Sequence, residues 1–432
     1  MNTVNSKLDI PAIAGGQPAK SESFGTEQRY GDDELNEVTE ALKQGTLFYA
    51  SGNKVKQFEA EFCARTGFSH GVSTSSGTAA IHAALAAAGI SPGDEVIVPP
   101  ITDMGTFVPI LYQGAVPVFA DLDPQTYNLL PASVANNVTD KTRAILAVHL
   151  AGNACDMNSL LKVATGRNIV IIEDCAQAHG CTYFDRAVGH FGTAGCYSLN
   201  EFKHISCGDG GIVVTNDYEF ASQARLATDK GYSRVPGAPR QPSFLANNYR
   251  MTELQGAVAR AQLRKLDSII ERRRQWCREL TRRLEGLAGL QVPHVTPGCE
   301  HSYWFYMMRV DAEKMGASGD QFADALKAEG LPVAAHYIGQ PVYEYPVFTR
   351  HHAFDHATHP FASREYGKGL CPNAEAILDT CVILAINEAY SQMDLEQTAH
   401  AITRVARWFG RSLQVTIGNL DRLNPYQKLQ RN

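Results

Sequence analysis

Ile169-Val170-Ile171-Ile172-Glu173-Asp174-Cys175-Ala176-Gln177-Ala178-His179 is the stretch on which the fold turns. Four consecutive β-branched apolar residues leave no polar face, so the strand they form must be covered on both sides. Two carboxylates follow at once, at the carboxyl end of a buried strand, where α/β sheets open to ligands. Working outward, the same kind of run recurs at Val96-Ile97-Val98, Val116-Pro117-Val118-Phe119, Ala144-Ile145-Leu146-Ala147-Val148 and Gly211-Ile212-Val213-Val214. Helical stretches separate these runs between about residues 69 and 217. The alternation predicts an α/β architecture with a parallel or mixed sheet covered by helices.

Two amphipathic helices are predicted ahead of this region, over 33–43 and 54–65, with Gly45 and Gly67 where C-terminal caps belong. A long helix is predicted over 252–283, with Leu254, Val258, Ala261, Leu266, Ile269 and Ile270 on its apolar side. Beyond Leu290 the pattern turns α+β, with a strand over 303–310 and helices over 320–329 and 394–408. The expected division is an N-terminal arm at 1–30, a large α/β domain at 31–275 and a small α+β domain with a tail at 276–432.

The chain has 432 residues, 44% hydrophobic and 19% charged, with a net charge of -6. That balance argues against nucleic acid as a partner, since phosphate binding needs dense Lys and Arg. The densest basic cluster, Arg272-Arg273-Arg274, falls inside the long helix and reads as a solvated face. Ten cysteines without any CxxC spacing point to neither a zinc site nor a secreted disulfide framework, so no metal is expected. Residues 1–8 carry no apolar signal core, and no stretch approaches the ~20 apolar residues of a membrane helix. A cytoplasmic protein without a membrane partner is expected.

Four features carry chemistry. Ser75-Ser76-Gly77-Thr78-Ala79-Ala80 lies between a short strand at 71–74 and a helix expected at 81–88. Glycine there allows close backbone approach to an anion, and the helix start offers free N–H groups, although a plain N-cap explains the same residues. Asp174 is suited to pair with a pyridinium N–H, or to cap a helix. Lys203, in Ser198-Leu199-Asn200-Glu201-Phe202-Lys203, precedes Gly208-Asp209-Gly210-Gly211. A nucleophilic lysine needs its pKa lowered by burial from ~10.4, whereas a surface lysine does not. Asn247-Asn248-Tyr249-Arg250-Met251 precedes the long helix and reads either as a cap or as further ligand contacts.

Taken together and in order, these residues resemble the DegT/DnrJ/StrS family of sugar and cyclitol aminotransferases. The resemblance starts at Ala14-Gly15-Gly16-Gln17-Pro18 and passes through Ser76-Gly77-Thr78-Ala79-Ala80 and Gly93-Asp94-Glu95-Val96-Ile97. It continues through Glu173-Asp174-Cys175-Ala176-Gln177-Ala178-His179-Gly180 and the 198–211 segment to Asn248-Tyr249-Arg250-Met251-Thr252-Glu253-Leu254-Gln255, fading near Val405. It implies the fold-type-I, aspartate aminotransferase-like architecture: a mixed, mostly parallel seven-stranded sheet and a smaller C-terminal domain. It also implies pyridoxal 5'-phosphate as cofactor and a homodimer with shared active sites.

By that resemblance Lys203 would form the aldimine and shuttle a proton, Asp174 would pair with the pyridine nitrogen, and Gln177 would sit near the ring hydroxyl. Gly77, Thr78 and Ser198 would hold the phosphate, with Asn248 reaching it across the dimer interface. His179 would wall the substrate pocket as a third catalytic candidate; Arg250, His336 and Tyr337 are further pocket candidates. The implied reaction is ping-pong transfer of an amino group from glutamate or glutamine to a keto-sugar, sugar nucleotide or keto-cyclitol. One departure stands out. Asp103 occupies the position where many relatives carry an aromatic that stacks on the cofactor, leaving Met104 or another side chain to cover the ring. It leaves open a pyridoxal phosphate lyase, or another non-transaminating enzyme, on the same fold. A non-catalytic sensor is the remaining alternative.

Overall fold

The computed structural model describes residues 10–421 apart from 240, 352, 354–360, 362 and 363, with side chains to residue 411. Residues 1–9 of the expected arm and 422–432 of the expected tail lie outside the described residues. Helices α1 (Asp32–Lys43) and α2 (Lys54–Thr66) lead into β1 (His70–Thr74) and α3 (Gly77–Ala87). Then come β2 (Glu95–Val98), α4 (Met104–Tyr112), β3 (Val116–Phe119), α5 (Pro131–Asn136), β4 (Thr142–Val148) and α6 (Met157–Ala164). The site strand β5 (Val170–Asp174) is followed by short β6 (Thr182–Tyr183) and β7 (Arg186–Ala187), then β8 (Ala194–Ser198), β9 (Gly211–Thr215) and α7 (Tyr218–Thr228).

Seven of these strands form one sheet in the order β1-β9-β8-β5-β4-β2-β3. Six run in the same direction, and β9 alone is antiparallel to both of its neighbours. Every residue of β2, β3, β8 and β9 is buried. That is the two-sided covering the unbroken apolar runs demanded. Strand β8 is absent from the sequence reading because Ala194-Gly195-Cys196-Tyr197-Ser198 lacks a β-branched run. Gly195 is small for a reason: a Cβ there would lie 2.7 Å from the Gly189 Cα.

Direction places the site. The parallel strands β1, β2, β5 and β8 end at Thr74, Val98, Asp174 and Ser198 on one edge of the sheet, and antiparallel β9 begins there at Gly211. Helix α3 starts at Gly77, four residues earlier than expected. Ser76 caps it, its Oγ accepting from the Ala79 N–H at 3.0 Å. The free N–H groups of its first turn therefore lie at this edge.

The 32-residue helix α8 (Glu253–Leu284) is capped by Thr252 and Gln255, one residue from the expected bounds. After it come β10 (Leu290–Gln291), β11 (Cys299–Glu300), β12 (Phe305–Val310), α9 (Ala312–Met315), α10 (Gly319–Ala328) and β13 (Val333–Ala335). The chain continues through α11 (Pro346–Thr349), α12 (Pro372–Thr380), β14 (Cys381–Ala385) and α13 (Gln392–Asp421). Strands β10, β12, β14 and β13 make a second, antiparallel sheet. Side chains of β12 alternate between two apolar cores: Phe305 and Met307 face the first, Tyr306 and Met308 the second. That alternation seats the second sheet against the first core.

The arginine run does not form a solvated face. Arg273 is buried and pairs with Glu388, and Arg274 donates to the carbonyls of Gly180, Glu300 and His301. Only Arg272, paired with Glu27, is exposed enough to fit that reading. Among the described residues no helix is long and apolar enough to cross a membrane.

Candidate active site

The loops that leave the carboxyl edge of the sheet enclose a cavity of about 350 Å³. Gly77, Thr78, Asp174, Gln177, Ser198 and Lys203, all singled out by sequence, line it together.

At one end stands Asp174, 3% exposed. Its Oδ1 accepts from the Ala176 N–H at 3.0 Å and its Oδ2 from the Thr106 hydroxyl at 2.8 Å. Burial pushes its carboxyl above the ordinary value, against the pull of those two donors and of the charges of Lys203 and His149. A buried carboxylate so held is a partner waiting for a cation. Its neighbour Glu173 faces the other side of the strand. There it accepts from the backbone N–H groups of Gly189, Phe191 and Gly192 and from His149 Nε2. His149, Glu173 and Cys175 come within 4.8 Å of one another. Those donors occupy the Glu173 oxygens, and His149 Nδ1 takes the Cys155 N–H, so the group serves to pin the 189–192 loop.

Lys203 is 8% exposed and lines the same cavity. Burial lowers its pKa to about 8, with the charges of Asp174 and Asp103 opposing the shift. Its Nζ sits 3.7 Å from the centroid of the Trp304 ring. The Trp304 indole N–H in turn donates to the Phe202 carbonyl at 2.7 Å, holding the loop that carries the lysine.

Elsewhere in the lining, Gly77 packs directly on Ser198: a Cβ would lie 2.7 Å from the Ser198 Cβ. The helix start and the end of β8 are thus as close as backbone permits, with the Thr78 and Ser198 hydroxyls beside them. Gln177 bridges outward, its Oε1 accepting from the Ala151 N–H at 2.8 Å and its Nε2 donating to the Tyr337 hydroxyl at 3.2 Å.

Other expected residues lie elsewhere. His179 is fully buried behind the cavity wall: it packs against Phe62, Tyr197 and His204, and its Nε2 meets the Ser198 carbonyl at 2.7 Å. Burial lowers its pKa to about 4. Asn248 is exposed, and within this one chain it does not line the cavity. Arg250 is paired with Asp229. His336 is held by the Leu378 carbonyl and Asp320, while its neighbour Tyr337 reaches the site through Gln177.

Asp103 lines the cavity and caps α4, its Oδ1 accepting from the Gly105 N–H at 2.7 Å. Met104 does not line the cavity and packs against the first core. Sequence reasoning missed Thr106 and Trp304. Thr106 could have been found, as it lies on the first turn of a helix leaving the same sheet edge as Asp174. Nothing local to Trp304 places it near Lys203, which is 101 positions away in the chain.

The donor set suits pyridoxal phosphate: one cavity is lined by a buried carboxylate, a lysine of lowered pKa, and a glycine-lined helix start with two hydroxyls. The Gly77 approach is the sharpest of these tests, since a side chain there would collide with Ser198 and push the helix start off the end of β8.

Comparison with known proteins agrees. Residues 28–403 match the DegT/DnrJ/EryC1/StrS aminotransferase family. The spore coat polysaccharide biosynthesis protein SpsC of Bacillus subtilis is 35% identical over 352 residues, 79% of this chain and 89% of the relative. GDP-perosamine synthase of Caulobacter vibrioides is 35% identical over 331 residues, 75% of this chain and 85% of that one. The crystal structure of 3-amino-5-hydroxybenzoic acid synthase matches at 31% identity with a TM-score of 0.79, covering 90% of this chain and 100% of that chain. With sheet order, cavity residues and ordered motifs all in agreement, the chain belongs to the DegT/DnrJ/EryC1/StrS aminotransferase family.

Proposed function

We propose that the protein uses pyridoxal phosphate to move an amino group from glutamate or glutamine, in ping-pong fashion, to a keto-sugar, sugar nucleotide or keto-cyclitol. One observation carries the reading: a buried lysine, a buried carboxylate and the start of a helix line a single cavity. The cofactor, when bound, supplies a carbonyl that takes up an amine and a ring that spreads the electron pair left as a C–H proton departs.

Every other part belongs to the chain. Asp174 accepts from the ring N–H and keeps that nitrogen protonated. Thr106 and the Ala176 amide hold the carboxylate in place. Gln177 would hold the ring hydroxyl. Gly77, Thr78 and Ser198 bind the phosphate, and Asn248, exposed on its own chain, completes that site in a partner copy. At neutral pH an appreciable share of Lys203 is the free amine, able to form the covalent link and then to take and return the substrate proton at Nζ. His179 in this reading supports Ser198 through its carbonyl and does not touch substrate. The division at 31–275 and 276–432 would leave these groups in the larger unit. Consistent with the composition, the enzyme acts in the cytoplasm.

The lyase alternative rests on Asp103, whose carboxylate beside the ring would have to carry protons. Its Oδ1 is occupied by the Gly105 amide as a helix cap, which favours a structural role. The test is a Lys203→Ala variant, which should bind pyridoxal phosphate yet lose ~10²–10⁴-fold in turnover, followed as keto acid released from the amino donor. Turnover that survives the substitution defeats the assignment of Lys203. Donor consumption without keto acid would favour the lyase.

A further inference from the structure

Ten cysteines are spread through this chain, and two of them meet. Cys181 follows the site loop at the start of β6, Cys299 opens β11, and their Sγ atoms lie 3.7 Å apart. The two strands pair antiparallel at Cys299–Tyr183 and Glu300–Thr182, which sets Cys181 diagonal to Cys299 across the ladder, on the same face. Cys181 is fully buried, but Cys299 is half-exposed and opens into a surface cavity of about 310 Å³ shared with Arg278, Thr281, Arg282, Pro293 and Tyr303. This cavity is separate from the one that holds Lys203 and Asp174.

The surroundings favour a thiolate on Cys299. Its Sγ accepts from the Ala154 N–H at 3.2 Å and shares a hydrogen bond with the Cys181 sulfur, and the Arg274 guanidinium lies close. The hydrogen bond shared with Cys181, helped by the amide and by Arg274, pulls its pKa below the ordinary thiol value against burial and the Glu300 charge. For Cys63, Cys155, Cys175, Cys181, Cys196, Cys207, Cys277, Cys371 and Cys381, burial pushes the thiol up instead. Cys207, also half-exposed, is raised to about 12.

We infer that Cys299 is a peroxide-sensitive modification site whose oxidised form closes onto Cys181, clamping the 299–304 segment to the loop that follows the site strand. In the first step the Cys299 thiolate attacks hydrogen peroxide. An S–O bond forms, the O–O bond breaks, and the departing hydroxide takes a proton and leaves as water; sulfur is oxidised to the sulfenic acid and peroxide is reduced. In the second, Cys181 sulfur attacks Cys299 sulfur. The S–S bond forms, the S–O bond breaks, and hydroxide leaves with the Cys181 proton as a second water. The sulfurs must close from 3.7 Å to ~2.05 Å, a shift within reach of side-chain rotation plus a small strand movement.

The clamp matters because of what the segment carries. Ser302 N–H donates to the Gly152 carbonyl, Trp304 N–H to the Ala151 carbonyl, and the Trp304 ring rests on Lys203. Arg274 already ties the two sides together, donating to Gly180 on one and to Glu300 and His301 on the other. The disulfide would make that tie covalent.

The test treats the cofactor-loaded protein with hydrogen peroxide and maps non-reduced peptides by mass spectrometry. A 181–299 disulfide should form before any other cysteine is modified. In Cys181→Ala, dimedone should instead trap a sulfenic acid at Cys299, and Cys299→Ser should give neither product. Backbone hydrogen exchange over 302–304 should slow by at least about threefold in the oxidised protein, and dithiothreitol should restore it. Modification of Cys207 ahead of Cys299, absence of the cross-link, or unchanged exchange over 302–304 overturns the inference. Because Cys299 is half-exposed, the Cys299→Ser arm stands even if the buried Cys181→Ala variant folds poorly.

Discussion

Replacing Trp304 should make Lys203 more acidic. The Lys203 Nζ lies 3.7 Å from the Trp304 ring centroid, and burial has already brought its pKa down to about 8. A cation over an indole face gains ~0.5–2 kcal/mol, and one pKa unit corresponds to ~1.4 kcal/mol. Taking the ring away should therefore cost the ammonium about 0.4–1.5 units, so Trp304→Leu moves the midpoint from about 8 towards about 7. Trp304→Phe separates the ring from the indole N–H, which holds the Phe202 carbonyl. It keeps a weaker cation–π face and loses the hydrogen bond, so its midpoint should fall between the other two. The assay is acetylation of the Lys203 peptide in cofactor-free protein, read by mass spectrometry across pH 6–10. An ordinary lysine has about 0.4% free amine at pH 8, so Lys203 should stand out from the surface lysines. A midpoint that rises in both variants would mean the ring acts by excluding water. A Phe variant shifted as far as Leu would mean the Phe202 anchor matters and the ring does not.

Two further outcomes follow from burial and close packing. Gly77→Ala puts a Cβ 2.7 Å from the Ser198 Cβ, which forces the helix start off the end of β8. Affinity for pyridoxal phosphate, titrated by fluorescence, should fall at least about tenfold, or ~1.4 kcal/mol, and recover in part when Ser198→Gly is added; unchanged affinity would put the phosphate elsewhere. His179 is buried in its neutral form, with its pKa lowered to about 4. Between an ordinary ~6.5 and that value the unfolded chain binds a proton that the folded chain refuses, so stability falls as pH falls, by ~1.4 kcal/mol per unit. From pH 6.5 to 5 the His179→Gln variant should lose about 1.5 kcal/mol less than the parent in urea unfolding, and equal losses would show that His179 is not buried neutral.

The large sheet was legible because its signal is local. Unbroken β-branched runs such as Val170-Ile171-Ile172 can only be buried on both faces, and Thr252 with Gln255 marks the start of α8 without help from the rest of the fold. Strand β8 was not legible, since Ala194-Gly195-Cys196 is chosen for close approach to Gly189 and not for strand propensity. The site divides along the same line. Gly77, Asp174 and Gln177 lie at or just past the ends of legible strands, so finding the strands nearly finds them, whereas Ser198 and Lys203 follow β8 and stand out only by the glycine run ahead of β9 and by the family motif. His179 sits in the same motif, yet it lies behind the wall, because a residue's side of a turn is set by three-dimensional packing that spacing does not record.

What spacing could not show is how distant segments grip the site, and four of the nine non-glycine residues with positive φ among those described lie where they do. Ala151, Tyr303, His336 and Tyr337 all have positive φ, at 58°, 50°, 63° and 46°. Non-glycine residues in that region cost ~1–3 kcal/mol each and persist only where their surroundings over-determine them. Here each is tied to the site machinery or to its support. Ala151 donates to Gln177 and accepts from Trp304, Tyr303 delivers Trp304 over Lys203, and Tyr337 accepts from Gln177. His336 is fixed from outside by Asp320 and the Leu378 carbonyl, and so holds Tyr337 in place. Three separate segments therefore spend conformational energy on two side chains, Gln177 and Lys203. Relaxing any one of the four turns would stabilise the local backbone and at the same time withdraw a contact from the cavity. The strain is thus best understood as the cost of bringing C-terminal residues to a site whose chemical groups all come from the N-terminal sheet.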